Sequence, residues 1–305
     1  MQKYLFFILV FFLWGSCDSL WAYPIFPQTL SDLYKGADHL VYGKVVGFIP
    51  VEEEYDVTKP PRLYNTWVQV VIQEELKGEL MEREICIAHY IGMMCPEPFD
   101  FKQGQDVLLF LNKDEKENFY WPYSWSYGAR EVTTADYYLY KEKLIALQAV
   151  LAISNPGRQE QQFINWMVDC IKEPLTRWDG FFELLNEKVD RTIERNLVAN
   201  PYSVTAEQNK VVRQIIFDKN EINVMDLKVL NHLKYAQDKE ILDFVSKQLK
   251  QASLKDKGFP FFQLGSRIIA ALSNRQDLKD LVLAIDENEV SREVKRKLLE
   301  FQEKI

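Results

Sequence analysis

The stretch Asn65-Thr66-Trp67-Val68-Gln69-Val70-Val71-Ile72-Gln73-Glu74-Glu75-Leu76-Lys77-Gly78 decides the fold. Successive side chains of an extended chain point to opposite faces. Thr66, Val68, Val70 and Ile72 therefore share one side, while Trp67, Gln69 and Val71 share the other. β-Branched and aromatic residues suit a pleated, half-buried surface, and Lys77-Gly78 closes the run as a turn. The segment reads as the central strand of a small β-barrel that ends near Val132.

Upstream, Leu40, Tyr42, Lys44 and Val46 alternate with Val41, Gly43, Val45 and Gly47, a strand whose glycines permit tight coiling at a barrel corner. Val51 to Arg62 is charged and ends in Pro60-Pro61, so it reads as a loop. Its acidic run, Glu52-Glu53-Glu54 with Asp56, lacks the ligand spacing of a calcium loop and reads as solvated surface. Downstream, Glu84 to Tyr90 is a third strand. Val107-Leu108-Leu109-Phe110-Leu111 is a continuous apolar run that suits a strand buried on both faces. Phe119 to Arg130 is a fifth extended element, dense in aromatics. Five short strands with long excursions predict a compact barrel of the oligonucleotide/oligosaccharide-binding (OB) type.

After Val132 the spacing changes. Tyr137, Tyr140, Leu144, Leu147, Val150 and Leu151 recur with helical period, and Asn155-Pro156-Gly157 stops that helix. A second helix spans Gln161 to Ile171. Thr176 is placed to cap a third from Arg177 to about Val189, with Asp179 as its reciprocal partner. Further helices read as 204–218, 222–236, 238–252, 260–273, 275–286 and 291–304. The fold class is α+β and multidomain: residues 1–22 an export signal, 23–132 an OB-like barrel, and 133–305 an all-α, irregular, solenoid-like array of helix pairs.

The N-terminus carries the tripartite pattern of a secretory signal: Lys3, an apolar run from Tyr4 to Trp14, then small residues. Two cleavage readings compete. Leu20-Trp21-Ala22 before Tyr23 fits ordinary signal peptidase. Trp14-Gly15-Ser16-Cys17 resembles a lipobox, which would lipidate Cys17 and tether the chain to a membrane. Cleavage after Ala22 is favoured, because Trp14 stands where the lipobox has Leu. Either way the protein is expected to be exported, to a periplasmic or extracellular location. The chain has 305 residues, is 47% hydrophobic and carries a formal net charge of −8. That acidity argues against nucleic acid as a partner, since phosphate binding needs a basic face.

Four cysteines are present. Cys86 and Cys95 lie in the barrel, and an oxidising compartment would allow a bridge between them. The alternative is two small buried hydrophobes. No Gly-x-Ser-x-Gly, phosphate loop or His-Glu-x-x-His occurs, and there are three histidines. No catalytic, cofactor or metal set is assembled, and the chain reads as a non-enzyme.

Ala37-Asp38 with Val41-x-Gly43-x-Val45, Thr66-x-Val68-x-Val70 leading to Leu76-Lys77-Gly78, Cys95-Pro96, and Phe101-x-x-Gly104 with Val107–Leu111 together resemble a bacterial netrin-like domain of the tissue-inhibitor-of-metalloproteinases superfamily. The resemblance covers about residues 30–132 and implies an OB-like barrel in a secreted protein. The inhibitor branch works through an N-terminal Cys-x-Cys, and Cys17-Asp18-Ser19 lacks its second cysteine, so that mechanism is not carried over.

The densest binding feature is Phe119-Tyr120-Trp121-Pro122-Tyr123-Ser124-Trp125-Ser126-Tyr127-Gly128. On a regular strand Trp121, Tyr123, Trp125 and Tyr127 would share one face, able to meet a ligand or partner; buried packing of the same rings is the competing reading. The leading expectation is a module making protein–protein contacts in the cell envelope. The alternatives are a secreted protease inhibitor and a carbohydrate- or peptidoglycan-binding module. The expected mature chain begins at Tyr23. Intact mass of protein purified from its own cells checks this: an acylated start at Cys17 would establish the lipoprotein instead.

Overall fold

A computed structural model describes residues 27–51, 64–80, 82–90, 97–114, 119–190, 195–198, 202–286 and 292–305; the side chains of 187–190, 195–198, 286 and 292 are excepted. The expected export signal (1–22), Cys17, Cys95 and the Glu52–Asp56 run lie outside the described residues. The chain divides into two compact units between Lys141 and Glu142.

The first unit opens with helix α1 (Leu30–Gly36), whose N-terminus is a reciprocal capping box between Thr29 and Asp32. Strands β1 (His39–Pro50), β2 (Thr66–Lys77), β3 (Glu84–His89), β4 (Asp106–Asp114), β5 (Phe119–Pro122) and β6 (Ala129–Glu131) follow. They form one sheet in the order β1-β2-β3-β5-β4-β6. β1 also pairs with β4, so five of the strands close into a ring. β1 does this by bending: its register against β2 slips at Leu40/Val41, Tyr42/Gly43 and Val45/Gly47. Gly43 is needed where β1 crosses β2, because a Cβ there would stand 2.7 Å from both Val70 Cγ1 and the Val71 carbonyl oxygen.

Alternation fills the ring. Val68 and Val70 of β2 point inward and are fully buried, beside Val41, Val45, Ile85, Ile87, Val107, Leu109, Leu111 and Tyr120. Each fully buried aliphatic side chain of this kind stabilises the fold by about 1.5–3 kcal/mol. Leu108 and Phe110, on the opposite side of β4, are equally buried. The expected five strands become six because the predicted Phe119–Arg130 strand is broken. β5 ends at Pro122, the chain turns through Ser124 (φ 59) and Trp125 (φ 57) into a short 3-10 helix (Trp125–Gly128), and β6 resumes the sheet.

Helix α2 (Thr134–Leu151) begins in the first unit with Thr133 and Asp136 capping each other. There the Tyr137 hydroxyl and the Lys141 ammonium both donate to the Glu74 carboxylate on β2. The Tyr137 ring stacks on Tyr42 of β1 at 3.9 Å. The N-terminal end of α2 is thereby fixed to the sheet.

The second unit continues with α3 (Pro156–Lys172), α4 (Arg177–Leu185), α5 (Ala206–Phe217), α6 (Val224–Leu233), α7 (Lys239–Gln251), α8 (Leu254–Lys257), α9 (Phe259–Ser273), α10 (Gln276–Asp286) and α11 (Arg292–Lys304). It is not all-α as expected. β7 (Glu187–Asp190) and β8 (Arg195–Val198) form an antiparallel pair between α4 and α5. The helix predicted to run to Val189 ends at Leu185 because Asn186 takes the left-handed conformation (φ 49) and terminates it. Thr176 stands at the N-cap of α4, as expected, but makes no side-chain capping bond there: its hydroxyl donates 3.0 Å to the Cys170 carbonyl near the end of α3. The proposed reciprocal partner, Asp179, is buried. α3 packs on α4 and α5, α4 on α6, α6 on α9, α9 on α7 and α10, and α10 on α11.

The Glu74 carboxyl is held below the usual glutamate range, first by its bond from Lys141 and then by that from Tyr137. A depressed folded-state pKa contributes stability above the unfolded pKa and loses it as pH falls through the folded value. Glu74→Gln is therefore expected to lower stability at neutral pH. Its deficit against wild type should begin to shrink as pH falls below about 4, the ordinary glutamate range, and vanish only below the lower folded-state value. Urea unfolding at a series of pH values reads this directly, and a deficit independent of pH would contradict it.

Candidate functional site

The outward side of β2 carries the most distinctive surface of the first unit. Trp67 points away from the ring interior, opposite Ile49 of β1 and Ala88 of β3. On β5, alternation sends Tyr120 inward and Phe119 and Trp121 outward. Tyr64, just before β2, completes a row. Ring centroids are 4.7 Å apart for Tyr64–Trp67, 5.0 Å for Tyr64–Phe119, 5.1 Å for Trp67–Phe119 and 6.0 Å for Phe119–Trp121.

Ala88 stands opposite Trp67 on β3, the strand between β2 and β5, and Trp67 and Phe119 meet at 5.1 Å across that strand. The row is graded. Phe119 and Tyr64 are a buried floor, Trp67 is half-buried, and Trp121 (42%) and Ile49 (44%) are exposed. Rings bury large apolar areas, so this shelf is pre-built for contact rather than left loose.

The four predicted face residues therefore separate. Trp121 belongs to the shelf. Tyr123 is turned against α1, where a Cβ on Gly36 would lie 2.2 Å from its ring. Trp125 is 41% exposed on the strained turn. Among the described residues, no ring contact joins Trp125 or Tyr127 to the shelf. The shared face fails because two successive left-handed residues reverse the alternation. Sequence reading missed Tyr64 and Ile49 altogether; it placed Trp67 on the side of its strand opposite Val68 and Val70, without joining it to the site.

The Lys77-Gly78 turn is structural. Lys77 Nζ donates 2.7 Å to the Tyr34 carbonyl and 2.5 Å to that of Ala37, satisfying backbone oxygens at the end of α1. Gly78 has φ 99, and a Cβ there would lie 2.3 Å from His39 Nδ1. His39 faces Glu75 at 3.9 Å. Its neighbour Asp38 instead uses its backbone N–H, toward Leu111 and Asn112.

Cys86 points outward from β3 opposite Gln69, while the His89 ring packs on Phe101 at 5.4 Å. Burial and the nearby Glu84 and Glu82 push the Cys86 thiol up, and burial pushes the Cys170 thiol up as well. Both shifts run opposite to that of an activated nucleophile. Among the described residues, no group of three His, Cys, Asp or Glu side chains is placed to hold a metal ion. No helix there is long and apolar enough to cross a membrane. Trp166 stacks on Phe163 and donates 2.8 Å to the Lys143 carbonyl, and Trp178 stacks on Phe182. No protein-family model and no curated protein matches the sequence.

The small residue between the rings provides a test. Ala88→Leu is expected to wedge Trp67 from Phe119, weaken the near-ultraviolet circular dichroism of the coupled rings and destabilise the unit by about 1–3 kcal/mol. Unchanged spectra would mean that the rings do not meet over Ala88.

Proposed function

We propose that this chain is an exported, non-enzymatic binding module that acts through protein–protein contacts in the cell envelope. The observation that carries this reading is the graded aromatic shelf of Tyr64, Trp67, Phe119 and Trp121 with Ile49 beside it. Protein interfaces concentrate their affinity on a few large side chains, Trp and Tyr foremost, and Trp121 is such a side chain, exposed beside a packed floor of Tyr64 and Phe119.

A glycan platform needs flat ring faces flanked by polar groups. Here Tyr64, Trp67 and Phe119 are tilted by 42–57° to one another and Trp121 stands edge-on to Phe119 at 86°. The cross-strand neighbour of Trp67 on β1 is the exposed, apolar Ile49. These features favour a protein surface over a sugar.

Two finer assignments belong to the same proposal. The closed ring of five strands supports an OB-like barrel of the netrin-like/tissue-inhibitor type. The packing of α3 on α5 and of α4 on α6 supports a solenoid-like stack of helix pairs, irregular because α6 packs on α9, three helices further on. Export rests on the N-terminal sequence pattern alone.

Replacing Trp121 with a photo-crosslinking amino acid in the native cells is expected to trap one recurring partner protein, and the same replacement at the exposed Lys102 is not. With that partner purified, Trp121→Ala should weaken binding by roughly 30-fold, the effect of losing an interface anchor worth about 2 kcal/mol. Absence of a Trp121 crosslink, together with quenching of tryptophan fluorescence by peptidoglycan fragments that Trp121→Ala abolishes, would replace this reading with the glycan one.

A further inference from the structure

We propose that the C-terminal part of the helical unit carries a second binding site, a groove for an acidic, amphipathic peptide segment of a partner protein. The groove has a volume of about 500 Å³ and is lined by Leu254, Lys255, Phe259 and Lys295.

Local sequence builds it. The Ser253 hydroxyl accepts the Lys255 N–H, which starts the one-turn helix α8. Gly258 then takes φ 76 and turns the chain directly into α9 at Phe259. Leu254, Lys255 and Phe259 are thereby gathered at one bend. Lys295 arrives from α11. That helix is held in place by Gln302, whose side-chain amide donates to the carbonyls of Leu249 (2.7 Å), Ala252 (3.1 Å) and Lys250 (3.3 Å) at the end of α7. Leu299 lies one helical turn beyond Lys295 and is 51% exposed, so it extends the apolar surface along the same helix.

Charge selects the occupant. Lys257, two residues from Lys255, is already engaged by Glu221 at 3.0 Å and by the Ile222 carbonyl. Lys255 and Lys295 are exposed, and among the described residues no carboxylate pairs with either. In a chain whose net charge is −8, two ammonium groups without a carboxylate partner beside an apolar floor favour an anionic occupant.

Shape narrows the class further. Sites for small molecules enclose most of the ligand surface, whereas this groove is open. An extended peptide suits it: a large apolar side chain covers Leu254 and Phe259 while flanking carboxylates reach Lys255 and Lys295. This site is independent of the aromatic shelf, and either can fail without the other.

The test uses the mature chain and a short acetylated, fluorescein-labelled peptide in which glutamate alternates with leucine and phenylalanine. Its control is the same peptide with glutamine for glutamate. The glutamate peptide is expected to bind about 10-fold more tightly than the control. Binding should weaken as salt rises from about 0.01 M to about 0.1 M, which shortens the Debye length from about 30 Å to about 10 Å. Lys255→Glu combined with Lys295→Glu should reduce affinity at least about 10-fold, and Phe259→Ala should also weaken it. Where the charge-reversed protein fails to fold, Lys255→Gln with Lys295→Gln takes its place. Equal binding of the two peptides, no binding by the folded wild type, or retained affinity in the double variant would overturn the proposal. Binding to phosphatidylglycerol vesicles without binding to the peptide would assign the groove to an anionic lipid surface instead.

Discussion

The first unit depends on one strand keeping two partners. His39 to Lys44 of β1 pairs with β4 across one edge, while Leu40 to Pro50 pairs with β2 across the other. A flat strand cannot serve both, since closing a ring requires coiling. Register slips supply the bend, and Gly43 lets β2 come close enough to follow it. Closure has a weak seam on the far side, where, among the described residues, β3 and β5 meet in one parallel pair, Ile87–Tyr120. Side chains close what the backbone does not. Tyr120 fills the interior beneath that seam, and Phe119 reaches Trp67 over it. The shelf assigned to binding therefore also holds the ring together, and its floor residues are buried for that reason.

The second unit relies on ordinary helix packing, made specific by polar groups at the helix ends. Thr176 and Arg177 both turn back to the last carbonyls of α3. Arg213 is nearly buried and bonds Asp238 at 2.9 Å and Glu240 at 2.7 Å, fixing the start of α7 against α5. Removing one partner of such a pair leaves an uncompensated buried charge, a penalty of about 3–5 kcal/mol. Gly180 lets α4 cross α3 closely, since a Cβ there would lie 2.5 Å from the Met167 carbonyl. These contacts account for the Pro174–Gly180 segment as a crossing device, with no chemistry required of it.

Where period alone decides structure, the sequence was sufficient. Thr66, Val68 and Val70 lie buried on one side of β2 while Ile72 is only partly covered, and the apolar block Val107 to Leu111 is buried throughout. Helices α5 to α7 and α9 to α11 fall close to their expected spans, with capping residues marking several, among them Thr205, Asn223 and Asp238, while the one-turn α8 was not expected. What escaped notice depends on backbone states that no period encodes. Ser124, Trp125 and Asn186 adopt positive φ without being glycine, and each breaks an element predicted to continue. The shelf was half legible. Trp121 stands out in any reading of the aromatic run, but Tyr64, Trp67 and Ile49 join it only through pairings of β1, β2, β3 and β5 that are distant in sequence.

The left-handed turn at Ser124 and Trp125 bears on function as well as topology. Each such residue costs of order 1–3 kcal/mol relative to an ordinary conformation and persists only where its surroundings impose it. Gly128 shows what imposes it here: a Cβ at that position would lie 2.1 Å from the Tyr123 carbonyl oxygen, so the 3-10 helix is pressed onto the turn that precedes it. The same turn drives Tyr123 onto α1 and leaves Trp121 as the last outward ring of β5. A regular strand would have presented four rings on one flat face, the geometry that stacks on sugars. The strained turn removes three of them and leaves one exposed edge above a buried floor, a shape that fits a protein side chain entering from the partner better than a planar ring lying flat.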